Sequence, residues 1–184
     1  MTPEQKLSLW LSEERTARQR LKQGVGRGVA RPDQIAGKSG LEIMQAMMSG
    51  ELPYAECAES LRFCAIKTAP GYALFQGATS RDQLNPMGFI HGGWISSVLD
   101  SALGCAVMST LSAGVVYSTI GLEVKYQKFL TLKTLRVRAE AKVTQIEGRD
   151  AFAQAILFGP DDTLFAEATT TCRLAEFPVK RTVH

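Results

Sequence analysis

From about His91 to Leu111 apolar residues recur at helical spacing, and no comparable helix interrupts the strand patterns on either side. One long helix among strands needs the face of a sheet to bury it, which points to an α+β fold. Upstream, LRFCAIKTA and YALFQGA are short apolar-rich runs separated by the turn signal Pro70-Gly71, and they read as a hairpin. Downstream, strands are predicted in STIGLEVKYQKF, over Leu135 to Ile146, over Asp150 to Phe158 and over Thr163 to Leu174. Turns fall at Glu147-Gly148 and at Gly159-Pro160-Asp161-Asp162. The order is β-β-α-β-β-β-β. In the first downstream strand Ile120, Leu122, Val124 and Tyr126 alternate with polar or small residues, as expected of a half-buried antiparallel strand.

The long helix has two kinds of face. At about 100° per residue, Ile95, Val98, Leu99, Ala102, Leu103 and Ala106 form one stripe that must meet the sheet. Ser97, Asp100, Ser101, Gly104 and Met108 lie off it, on a surface of small residues where a second backbone or a substrate could approach. A lone helical aspartate usually faces solvent. Asp100, however, is surrounded by short serines and a glycine instead of the long charged side chains of a solvated face. At the helix start, HGG leaves N–H groups of Gly92 and Gly93 free of a Cβ, and the helix dipole adds positive potential there. Those donors suit a developing oxyanion; a tight strand-to-helix turn would also use glycine. His91 serves either that site or the loop that precedes it.

The chain of 184 residues, 45% hydrophobic, can bury one sizeable core. Residues 1–54 read as a helical extension and linker, and 55–184 as the core domain. In the extension, Thr2-Pro3 starts a helix carrying Leu7, Trp10, Leu11 and Leu21. GVGRGVARPDQIAGK reads as a linker, since no strand precedes its glycines and no GK[ST] follows. Ser39 and Glu42 form a capping box for a short helix bearing Leu41, Ile43, Met44, Met47 and Met48. The methionines suit packing.

A net charge of +3 predicts neither a nucleic-acid nor a membrane surface. The N-terminal stretch has no uninterrupted apolar segment and nothing approaches a membrane span, so a cytoplasmic protein is expected. Four scattered cysteines without a CxxC pair suggest reduced thiols, neither a zinc knuckle nor a redox motif. With only His91 and His184 available, no histidine-rich metal site is expected. Cys105 as a nucleophile with His91 as its base is excluded, because fourteen helical residues separate them by roughly 21 Å.

The stretch NPMGFIHGG, followed nine residues after His91 by Asp100, resembles the hotdog-fold acyl-CoA thioesterases of the phenylacetate-degradation (PaaI) type. The similarity runs from about residue 55 to 175. It implies a hotdog fold, a long helix wrapped by a five- or six-stranded antiparallel sheet, here with an N-terminal helical extension. It also implies a homodimer or homotetramer whose sites lie between the helix of one subunit and elements of the other. By the resemblance, the backbone N–H of Gly92 donates to the thioester carbonyl, while Asp100 acts as general base or nucleophile. His91 and Asn85 orient the carbonyl and the loop, and Gly93 and Ser101 border the substrate. Alignment through YSTIGLEVKY suggests Thr119 as the hydroxyl that positions water or carboxylate; simple alternation along the strand leaves Ser118 open.

Coenzyme A enters only as part of the acyl-CoA substrate, with no separate cofactor. Its phosphates need cations, for which Lys125 and Lys128 are candidates. A thioester is already activated, so a carboxylate and one fixed N–H donor can suffice without a serine triad or metal. The implied activity is hydrolysis of a medium-chain or aromatic acyl-CoA. A hotdog hydratase or dehydratase, using His91 as base, and a non-catalytic acyl-CoA-binding protein are the alternatives. Residues 1–54 would either cover the groove, with Trp10, Met44, Met47 and Met48 shaping the acyl pocket or an oligomer contact, or pack on the outside of the sheet.

Overall fold

The computed structural model describes residues 1–176; His184 and the end of the predicted core segment lie outside the described residues. Four helices lead in: α1 (Pro3–Gln23), α2 (Pro32–Ile35), α3 (Gly40–Ser49) and α4 (Glu56–Ser60). The hairpin β1 (Phe63–Ala69) and β2 (Tyr72–Ala78) follows, then a 3-10 turn (Arg81–Gln83) and the long helix α5 (Gly92–Met108). β3 (Val115–Tyr126), β4 (Arg136–Glu147), β5 (Asp150–Phe158) and β6 (Leu164–Glu176) complete the described chain. The expected order is present. Sequence patterns missed α2, α4 and the 3-10 turn, all too short to show a period.

All six strands form one antiparallel sheet in the order β1-β2-β4-β5-β6-β3, and the sheet wraps α5 in the hotdog arrangement. The predicted stripe is the core: Val98, Leu99, Ala102, Leu103 and Ala106 are wholly buried. Facing it, Ala139 and Ala141 of β4, Ala153 and Ala155 of β5, and Ala166 and Ala168 of β6 are buried in the same cluster. Small residues at these alternate positions let the helix sit close to the sheet.

β3 departs from simple alternation. Thr119 pairs with Cys172 and Gly121 with Thr171, so Ile120 is an extra residue, a β-bulge. The bulge reverses the parity of every side chain beyond it. Tyr117 and Thr119 before it, and Leu122, Val124 and Tyr126 after it, share the face opposite Leu174, Cys172, Thr170, Ala168 and Ala166. The strand expected to be half-buried through Ile120, Leu122 and Tyr126 is instead exposed at these positions, by 55, 37 and 53%. β3 is a sheet edge, and α5 meets its far half through Tyr126, at the start of the helix.

The extension packs on this sheet. α1 lays Trp10 and Glu14, both buried, against side chains of β2, β4 and β5 that point away from α5. The Trp10 ring meets Phe158 edge-on at 5.7 Å, with the Arg138 guanidinium 4.4 Å from its centre. Glu14 accepts hydrogen bonds from Arg136, from Arg18 at 2.8 Å and from the Gln76 amide at 3.1 Å. Arg138 in turn donates to Gln76 at 2.9 Å and to Glu13. Trp10 thus packs on the outside of the sheet, one of the two arrangements open from the sequence. The segment read as a linker contains the short helix α2 and is held to the chain beyond α3. Gly26 O accepts from Tyr54 N at 3.1 Å, and Gly28 N donates to Tyr54 O at 2.9 Å. Exposed backbone groups of a glycine-rich segment found partners in the segment that leads out of α3.

Burial alone would raise the Glu14 carboxyl, but hydrogen bonds from Arg136 and Arg18 outweigh it and hold the group below its ordinary value. Its folded pKa being depressed, the stabilisation is complete above the unfolded pKa of 4.5 and is lost as pH falls through the folded value. Glu14→Ala should lose roughly 3 kcal/mol by urea unfolding at pH 7, the low end for breaking a buried ion pair because Arg18 and Arg136 keep some solvent. The difference from the native protein should narrow in acid; a variant within 0.5 kcal/mol, an ordinary surface effect, would contradict the role given to this cluster.

Candidate active site

His91 caps α5, and its Nδ1 accepts from the Gly93 N–H at 2.9 Å. Its own N–H donates to Gln83 O at 2.8 Å, so the 3-10 turn fixes where the helix begins. Asn85 shapes the loop before it: Oδ1 accepts from Met87 N at 3.0 Å and Phe89 N at 3.1 Å, and Asn85 N donates to Phe89 O. The Gly93 N–H is therefore spent on His91. The Gly92 N–H has no partner among the described residues and is the donor left at the positive end of the helix. With Nδ1 accepting, a neutral His91 carries its proton on Nε2 and is a donor there, not a base.

Asp100, half-buried two turns further on, receives a hydrogen bond from Thr119 Oγ1 at 3.2 Å. Ser118 is exposed and shares its face with Arg173, away from α5. The serine alternative rested on putting Ser118 with Ile120 and Leu122; the bulge removes that equivalence. Ser101 Oγ is turned back onto Ser97 O at 2.8 Å. The small helix face is partly filled by its own subunit: a Cβ on Gly104 would lie 2.4 Å from the Tyr117 hydroxyl.

The two lysines are not brought to Asp100. Lys125 follows the bulge, pairs with Glu167 on the outward face and lies 3.5 Å from Glu123. Lys128 is exposed beyond the end of β3, with its backbone N–H on Phe165 O. Tyr126 was missed as a site residue. Its hydroxyl donates to Gly92 O at 3.0 Å and lies 2.8 Å from Ser96 Oγ. Alternation already turned it inward, but nothing local in the sequence marks its hydroxyl as a partner of Gly92 O, 34 residues away.

A cavity of about 480 Å3 opens beside Asp100. Ser101, Cys105 and Tyr117 line it together with Met44, Met47 and Met48 of α3. That volume falls in the range of about 300–1,000 Å3 common for small-molecule sites. Burial, reinforced by the nearby Asp100 charge, pushes the Cys105 thiol up to about 12. Burial likewise raises Cys64 to about 11, and raises Cys172 and the Tyr117 phenol. None of these offers a ready nucleophile near neutral pH. Among the described residues no group of His, Cys, Asp and Glu is placed to hold a metal ion, and no helix is long and apolar enough to cross a membrane.

Residues 87–166, which contain the helix start and Asp100, match the family model described as Thioesterase superfamily. Over 85 residues the chain is 38% identical to an acyl-coenzyme A thioesterase THEM4 of Xenopus laevis, covering 46% of this chain and 36% of that protein. Over 99 residues it is 34% identical to the Mus musculus protein of the same name, covering 53% of this chain and 40% of the relative. The matched stretch thus spans well under half the length of both relatives. A solved putative thioesterase, a phenylacetic acid degradation-related protein of Ralstonia eutropha JMP134, superposes with a TM-score of 0.65 at 24% identity, over 71% of this chain and 98% of that one. The PaaI protein of E. coli gives 0.60 at 17% identity, over 66% and 85%. These structural likenesses show the shared hotdog fold.

The four cysteines give a direct check on the chemistry of the cavity. Titration of the native protein with an aromatic disulfide at pH 8 should find one fast thiol, exposed Cys57, and three slow ones that appear on unfolding. Two or more fast thiols would mean that Cys64, Cys105 or Cys172 is more open than its burial here.

Proposed function

We propose that this protein is an acyl-CoA thioesterase that hydrolyses a medium-chain or aromatic acyl-CoA to the free acid and coenzyme A. The observation that carries the reading is the pairing of an unoccupied Gly92 N–H at the start of α5 with a half-buried, threonine-bonded Asp100 on a cavity wall. Gly92 N–H stabilises the oxygen on which charge develops, and Asp100 either takes a proton from the attacking water or attacks the thioester carbon itself, water then opening the acyl-aspartyl anhydride to release the acid. Thr119 holds the carboxylate, while His91 and Asn85 position the loop. The thiolate of coenzyme A leaves as the carbonyl reforms.

Eight helical residues separate Gly92 from Asp100, roughly 12 Å of rise, so one subunit does not bring both to a single carbonyl. Each site would therefore pair Gly92 of one copy with Asp100 of another, in a homodimer or a homotetramer built from it. Support comes from β3, a twelve-residue sheet edge left uncovered with Leu122 and Tyr126 exposed on its inward face. Such an edge is avoided in isolated proteins unless it is paired. A catalytic base at His91, which a hydratase would need, is disfavoured because its Nδ1 already accepts from Gly93. A cytoplasmic pool of acyl-CoA is the proposed source of substrate, and no nucleic acid or membrane partner is part of this reading.

Thiol release should be measured on short, medium, long and aromatic acyl-CoAs. Asp100→Asn should lower kcat by about a hundredfold or more, as loss of a general base does, while Ser118→Ala stays near native. Absence of turnover with every acyl group, or an Asn variant as fast as the native protein, would sink the hydrolase reading. A second prediction addresses the shared site. Gly92→Pro removes the N–H at the first helical position and should cost about a hundredfold; Gly92→Ala, which puts the same Cβ 3.0 Å from the Tyr126 hydroxyl but keeps the N–H, should cost far less. Mixed oligomers of Gly92→Pro and Asp100→Asn chains should regain activity, since one site per dimer then has both native groups. No recovery on mixing would place both groups of a site in the same chain.

A further inference from the structure

The cavity beside Asp100 is closed in part by residues outside the matched thioesterase segment, and this bears on which acyl group it accepts. Leu21 and Ala17 of α1 and Met44, Met47 and Met48 of α3 line it together with Phe63 of β1. Two close approaches fix α3 across that space. At its start, a Cβ on Gly40 would lie 1.8 Å from the carbonyl oxygen of Met108, the last residue of α5. Just past its end, Gly50 meets Gly24, the cap of α1, where a Cβ on Gly24 would lie 2.2 Å from Gly50 O. The α1 helix is itself held by the buried Glu14 cluster and Trp10. The methionine-bearing helix is therefore anchored at both ends and does not act as a mobile flap.

Resting on the thioesterase reading, we infer that the N-terminal extension is the ruler for acyl length, with Met44, Met47 and Met48 forming the distal wall of an apolar channel that starts at Asp100. The backbone of the wall is rigid; its lining is not. Methionine has three rotatable side-chain bonds and a polarizable sulfur, so it adapts to a flexible chain of varying shape. A narrow slot for a flat ring would be lined more stiffly. The substrate class this wall suits is a straight medium-chain acyl group, whose methylenes are transferred to an apolar surface with no charge to satisfy. The aromatic option is disfavoured. Ser12, Thr16 and Arg20 of α1 also border the cavity and are exposed, which marks where the channel meets water beyond the methionines.

The test uses the full-length protein and a series of straight-chain acyl-CoAs from acetyl to palmitoyl, with phenylacetyl-CoA beside them. Met47 and Met48 are only half-buried, so their substitution spares the fold better than that of Met44. Met47→Trp should leave kcat/KM for the shortest chains near native and lower it at the native optimum by at least about tenfold, the effect of denying a few methylenes their contacts. Met48→Ala should move the optimum to longer chains. Unchanged length profiles in both variants, with native circular dichroism, would overturn the inference while leaving hydrolysis intact. If the native protein hydrolyses no thioester, calorimetry with octanoate and decanoate decides separately. Binding that Met47→Trp abolishes supports the channel, and absence of binding to the native protein rejects it.

Discussion

Enclosure of α5 by the sheet is the constraint on which the rest depends. The stripe from Ile95 to Ala106 is buried against alanines of β4, β5 and β6, and the sheet curls round it. A helix buried on that face has little freedom to slide or rotate, because interiors are packed close to crystal density. Its N-terminal end and the direction of Asp100 are set by the same contacts. The proposed chemistry is thereby placed on a helix buried along one whole face. The loop before the helix is then tied to that element by Asn85, Gln83 and His91 through bonds to backbone groups.

The extension repeats this logic on the other side of the sheet with different forces. Trp10 supplies apolar area, but what surrounds it is ionic: Glu14, Glu13, Arg136 and Arg138 with Gln76 between them. An ion cluster under a helix adds directional bonds where a purely apolar contact would let the helix shift. It ties the start of the chain to strands far along it. The glycine contacts at Gly24, Gly40 and Gly50 then carry that fixation through α3 to the end of α5.

Much of the fold was legible because its signals are local. Helix and strand periods, the Ser39–Glu42 capping box and the Pro70-Gly71 turn each need only a few neighbouring residues, and the structure contains all of them. In the site, HGG at a helix start and Asp100 on a face of small residues were readable for the same reason. What was not legible depends on pairing across the sheet. That Thr119 shares a face with Leu122, Val124 and Tyr126, while Ser118 does not, is decided by one bulge, which exists only relative to β6. The packing of α1 needed partners more than a hundred residues away, such as Arg136 for Glu14, and no single-sequence pattern announces such a pair.

The bulge at Ile120 also implies an unusual map of tolerance to change. Ile120 itself is exposed and contributes little packing, so exchanging its side chain should matter little. Its loss as a residue should matter little as well: with Ile120 deleted, Gly121 follows Thr119 directly, both keep their partners Thr171 and Cys172, and Leu122, Val124 and Tyr126 stay on the face they share with Thr119. One deletion further on, at Glu123, would instead turn Val124 and Tyr126 to the opposite face and take the Tyr126 hydroxyl off Gly92. The strand thus tolerates a shortened chain at one place, where the residue lost has no partner to leave behind.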